Sequence, residues 1–108
     1  MLRSKRHLIG FVDILKRADA LQRGMPVAYL LSFVLVAIEE GLSVTEYAKR
    51  AGVDRFAMSR YLALLGDGQG EKGEGYGWVK LKRVGIGKSV TLTRRGRAVL
   101  SRMSQALV

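Results

Sequence analysis

The sequence predicts a mainly α domain with a small β-hairpin, an α+β fold of about five helices and a two- to three-stranded antiparallel sheet. Three observations lead there. Apolar residues recur at spacings of three and four in successive segments up to Leu65, a glycine-rich stretch at 66–77 ends that pattern, and apolar and basic residues then alternate before helical spacing returns. A chain of 108 residues supports one hydrophobic core, so 1–108 reads as a single domain.

The first helix is predicted over Lys5–Leu21, where Leu8, Phe11, Val12, Leu15 and Ala18 form an apolar stripe. Gly24 supplies a stop. Pro26 supplies the next start, because proline at a first helical position gives up an amide that has no intrahelical partner anyway. The second helix, about Pro26–Glu40, is apolar all round, and is expected to be central and buried, in part by a second subunit. Gly41 closes it. Ser43-Val44-Thr45-Glu46 has capping-box spacing and opens a short third helix, Val44–Ala51. After Gly52, Asp54 caps a fourth helix in which Phe56, Met58, Tyr61, Leu62 and Leu65 keep helical spacing.

Gly66–Gly77 holds six of the thirteen glycines and is expected to be an extended connector. It lacks the Gly-Lys-Ser/Thr ending of a phosphate-binding loop, and Asp67, Glu71 and Glu74 against Lys72 would repel phosphate. Beyond it, Trp78–Val84 and Lys88–Leu92 alternate around Gly85-Ile86-Gly87 and predict a hairpin. Trp78 and Tyr76 are expected as core anchors. Thr93 caps a last helix, Arg94–Leu107, with Ala98, Val99, Met103 and Leu107 on one side.

The third and fourth helices have the spacing of a helix-turn-helix. Ala48 is small where two helices cross closely, Gly52 reverses the chain, and Tyr47, Val53, Met58 and Tyr61 face inward. The outward residues at the start of the fourth helix are then Arg55, Phe56, Ser59 and Arg60. Arginine binds guanine bidentately in a major groove, serine bonds a base or a phosphate, and Phe56 either contacts a thymine methyl or packs. Charge points the same way. Nineteen Lys and Arg against nine Asp and Glu give +10, and from Trp78 onward the sequence carries eight basic residues and no acid. Within this basic third, Lys82, Arg83, Lys88, Arg94 and Arg95 are candidate phosphate contacts, and Thr45 joins the DNA-binding set from the third helix.

In these motifs the sequence resembles the winged helix-turn-helix transcription regulators, and within them the MarR-like group. The matching residues are Val44–Val53 and Met58–Leu62, then Gly77-Trp78-Val79, a two-stranded wing, and Leu92-Thr93-Arg94-Arg95-Gly96. The resemblance spans roughly Pro26–Arg97. It implies double-stranded DNA as partner, with a recognition helix at about 54–65 in the major groove and a wing at about 78–92 on the adjacent minor groove or backbone. The turn at Arg83–Lys88 lacks the group's Asp-x-Arg. The sequence ends at Val108 without the group's long second C-terminal helix, so a homodimer is expected to use helices at about 5–21 and 26–40. A cytoplasmic location, bacterial or archaeal and nucleoid-associated, goes with that role; an effector is left open.

Enzymatic classes find no support. Without cysteine there is no disulfide, thiolate nucleophile or Cys-ligated metal. His7 is the lone histidine, Ser89, Thr91 and Thr93 have no base in any motif, and Glu39 and Glu40 diverge by about 100° on a helix and read as a solvated end. The expectation is a non-enzyme without cofactor or metal. The strongest apolar run, Met25–Ile38, falls short of the roughly 20 residues a membrane span needs, and the basic N-terminus lacks the apolar core of a signal peptide. Two functions fit: sequence-specific DNA binding, or a winged-helix module for protein contacts or non-specific nucleic-acid binding. Arginines on both recognition helix and wing favour the first.

Overall fold

The computed structural model describes residues 5–68 and 75–105. Its elements are α1 (Lys5–Leu21), α2 (Val27–Ile38), α3 (Val44–Ala51), α4 (Arg55–Leu65), β1 (Val79–Val84), β2 (Gly87–Leu92) and α5 (Arg94–Ser104). Half of the glycine-rich connector, 69–74, and the predicted end of the last helix, 106–107, lie outside the described residues. Pro26 is the residue before α2, with extended backbone (φ −60°, ψ 146°), and not its first helical residue as the sequence suggests. Among the described residues no helix is long and apolar enough to cross a membrane.

β1 and β2 pair antiparallel from Val79↔Leu92 to Val84↔Gly87. The two-residue connection Gly85-Ile86 has positive φ at its first position only (62° at Gly85), the sign pattern of a type II′ turn. A rudimentary third strand flanks β2: Gly41 N–H donates to Val90 O at 2.8 Å and Val90 N–H donates to Leu42 O at 3.2 Å. The hairpin is thereby fastened to the α2–α3 junction.

The core lies where α2, α3, α4, the hairpin and α5 meet. Phe33 and Val36 of α2, Tyr47 and Ala48 of α3, Met58, Leu62 and Leu65 of α4, Trp78, Val79, Val90 and Leu92 around the hairpin, and Val99 and Met103 of α5 are all buried. Trp78 packs edge-on against Phe33 with ring centroids 5.1 Å apart, which makes it the core anchor its position suggests. The step Leu92-Thr93-Arg94-Arg95-Gly96 acquires a steric reason here. Thr93 Oγ1 accepts from Gly96 N–H at 2.9 Å and donates to Gly77 O at 2.6 Å, drawing the first turn of α5 onto the strand entry. A Cβ at Gly96 would fall on the carbonyl oxygen of Trp78.

Two apolar surfaces depart from simple burial. The α1 stripe buries only Ala18, leaving Leu8, Phe11, Val12 and Leu15 exposed, and α2 buries Ser32, Phe33 and Val36 while Val27, Leu31 and Ile38 stay exposed. The expected all-round burial of α2 is therefore not met within one chain. Its outer face has no covering element among the described residues.

Candidate nucleic-acid interface

The helix pair α3–α4 is set by local chemistry. Ser43 Oγ accepts from Glu46 N–H at 3.2 Å and Asp54 Oδ1 accepts from Ala57 N–H at 2.8 Å, so side chains cap both helices. Between them Gly52 takes φ 73°, a left-handed conformation that costs glycine little, and Val53 N–H donates back to Ala48 O at 3.1 Å. Tyr47, Ala48, Met58, Leu62 and Leu65 turn inward, which leaves Arg55, Phe56 and Arg60 exposed on α4.

Five of the predicted site residues converge. Thr45, Arg55, Phe56, Ser59 and Lys88 line one open groove of about 310 Å³, together with Ser43, Val44 and Gly87. Sequence positions more than forty apart thus share one surface, with the first turns of α3 and α4 on one side and the start of β2 on the other. Both helix N-termini bring the positive ends of their dipoles here, beside the Arg55 and Lys88 charges. Phe56 is 73% exposed and does not pack in the core, and the Arg55 guanidinium lies 5.6 Å from its ring centroid. That is an anion-attracting surface with one apolar ring in it.

Arg60 is exposed on α4 but does not line this groove. On the hairpin, Lys82 and Arg83 are exposed on β1, and Arg83 stands directly opposite Lys88. Arg94 and Arg95 are exposed at the start of α5, at the opposite end of the hairpin from its turn. Five residue steps, about 17 Å of strand, separate that end from the turn. These two arginines therefore do not join the groove.

Among the described residues the ion pairs are Asp13–Arg17, Asp19–Arg23, Glu39–Arg50 and Glu40–Arg97. None involves α4 or the hairpin. Arg50 and Arg97 have acidic partners at 2.9 and 3.1 Å, in Glu39 and Glu40. Glu39 and Glu40 are correspondingly more than a solvated helix end. Glu40 Oε1 accepts from Leu92 N–H at 2.7 Å as well as from Arg97, tying α2 to the base of the wing and to α5.

A second positioning residue is Tyr47. Its buried hydroxyl donates to Glu39 O at 2.8 Å, accepts from Leu42 N–H at 3.2 Å, and lies 3.3 Å from Val90 O. The α2–α3 junction, α3 and β2 meet at this one oxygen, which fixes the hairpin relative to the helix pair. Burial raises the Tyr47 hydroxyl above its ordinary pKa, the Leu42 amide opposes this in part, and Glu40 and Glu39 push it further up. The sequence reading sees Tyr47 only as inward and apolar. Glu40 lies 52 and 57 positions from its partners, so no local pattern connects them.

No protein-family model matches the sequence, and no curated protein matches it either. Solved structures do match its fold. Rv1404 of Mycobacterium tuberculosis superposes with a TM-score of 0.73 at 16% identity, over 97% of this chain and 67% of that one. A MarR transcriptional regulator of Methanosarcina mazei Go1 gives 0.68 at 18%, over 96% and 64%. The transcriptional repressor CouR, bound to a 23-mer DNA duplex, gives 0.66 at 23%, over 99% and 72%. The chain thus spans about two thirds of the length of these structures. Five helices and a two-stranded hairpin in this order form the winged helix-turn-helix fold of MarR-family regulators.

Proposed function

We propose that this chain, built on the MarR-type winged helix, is a transcription regulator that binds double-stranded DNA sequence-specifically, with α4 in the major groove and the hairpin on the adjacent minor groove. The observation that carries the reading is the groove shared by Thr45, Arg55, Phe56, Ser59 and Lys88, where two helix N-termini meet cations that have no acidic partner among the described residues. Arg55, Ser59 and Arg60 read base edges, and Phe56 contacts a thymine methyl. Lys82, Arg83, Lys88 and Thr45 hold phosphates. Arg94 and Arg95, beyond the far end of the hairpin, add phosphate contacts only where the duplex extends past the wing.

Two copies act together in this reading. The exposed Leu8, Phe11, Val12 and Leu15 of α1 and Val27, Leu31 and Ile38 of α2 are the apolar surface available for a homodimer. CouR supports the DNA partner, since a protein with this fold was solved on a duplex.

Mobility-shift titrations on selected and random duplexes test the division of labour. Arg60→Ala weakens binding to the selected duplex by about 1–3 kcal/mol and relaxes preference, whereas Lys82→Ala weakens binding to every duplex and lowers the salt slope by about one. Equal losses on both duplexes for both variants contradict the assignment. Binding to all duplexes with one affinity points to a non-specific binder.

A further inference from the structure

The turn that ends the hairpin carries an apolar side chain where an interior strand residue would be covered. Ile86 is 110% exposed and Val84, two residues before it, is exposed as well. A Cβ at Gly85 or Gly87 would meet nothing within 4 Å, so the end of the ribbon is a backbone turn bearing one side chain in open solvent. Behind this tip the hairpin is cationic. Lys82, Arg83 and Lys88 are exposed, and Arg83 faces Lys88 across the strands. Like charges directly opposite destabilise a bare hairpin, and a polyanion lying along it relieves that repulsion.

We infer that Ile86 is an apolar wedge that enters the minor groove of the duplex whose major groove receives α4, seating against the sugar walls and opening a base step there. This rests on the DNA-binding reading of the α4 groove and adds a partner surface to it. The shape fits: a minor groove is about 6 Å wide, and a tip flanked by two glycines presents a single side chain with no neighbouring Cβ branches to obstruct it. The charges fit too, because the cations lie on the strands, where phosphates border the groove, and the tip itself is uncharged. Position completes the match. Lys88 and Gly87 line the same groove as Arg55 and Ser59, so the tip sits beside the recognition helix, one residue beyond Gly87. An apolar wedge enters most readily at pyrimidine–purine steps, which unstack at least cost. The tip therefore contributes preference through deformability, at a position where no hydrogen bond reads a base.

The experiment compares wild type, Ile86→Ala and Lys82→Ala on one duplex selected from a random pool, carrying a fluorescent adenine analogue at the flanking steps and titrated over a range of salt. Ile86→Ala is expected to lose about tenfold in affinity with an unchanged salt slope, because an apolar contact releases no counterions, and to abolish the fluorescence rise that reports unstacking. Lys82→Ala is expected to lower the slope and keep the fluorescence rise. Unaltered thermal melting of Ile86→Ala confirms that this exposed site leaves the fold intact. If Ile86→Ala binds as wild type does, or wild type binds without a fluorescence change, the wedge is refuted while the DNA-binding reading stands. If wild type binds no duplex but binds anionic vesicles or another protein through Ile86, both fall together.

Discussion

Replacing Tyr47 by phenylalanine removes one oxygen and tests whether the α2–α3 junction is held to α3 as described. The hydroxyl serves Glu39 O at 2.8 Å and Leu42 N–H at 3.2 Å; the nearby Val90 O keeps its bond from Gly41 N–H at 2.8 Å. Two backbone groups therefore lose a partner. Each such hydrogen bond is worth about 1 kcal/mol net, more where the orphaned group is sealed from water. Glu39 is at an exposed helix end and Leu42 is half-buried, so water recovers part of the loss and the sum is about 2 kcal/mol. For a domain of this size that lowers Tm by about 10 °C. Urea and thermal denaturation followed by circular dichroism measure both. A Tyr47→Phe variant within about 0.5 kcal/mol of wild type refutes the claim that this oxygen holds the junction together.

Other predictions follow from the same contacts. Gly96→Ala improves helix propensity by about 1 kcal/mol, yet its Cβ would meet the Trp78 carbonyl, so the net effect is destabilising by about 1–3 kcal/mol; a rise in Tm would show that the close approach is not there. Burial raises both Tyr47 and Tyr76 above the ordinary value of 10.0, so each contributes stability that is complete below that pH and is lost as pH rises through the folded value. Denaturation midpoints should therefore fall above about pH 10, less steeply in Tyr47→Phe, and an equal slope in the two proteins would contradict this. Phe11→Glu places a charge in the exposed α1 stripe and is expected to convert a dimer to a monomer in light scattering; a wild-type monomer at working concentration would remove α1 from the account.

The helix-turn-helix was readable because its signals are local. Caps at Ser43 and Asp54, the left-handed Gly52 and the inward periodicity of Met58 and Leu62 each act over a few residues, and α3 and α4 form where they point. The same periodicity turns Arg55 and Phe56 outward, so the α4 side of the groove follows from sequence. Lys88 is legible only as one cation of a basic hairpin, without any sign that β2 would lie beside the N-terminus of α4. Arg94 and Arg95 entered the set on charge alone, and charge carries no information about which end of a hairpin it occupies. The pairings of Glu40 with Leu92 and Arg97 depend on tertiary approach, as does the exposure of α1, because an apolar stripe records what a helix needs covered and not what covers it.

Selection of bound duplexes from a random DNA pool, read by sequencing, tests the central claim most directly. A sequence-specific dimer predicts enrichment of a palindromic consensus with half-sites about one helical turn apart, lost when Arg55 and Arg60 are replaced together by alanine. A pool that emerges from selection without any enriched sequence would contradict it.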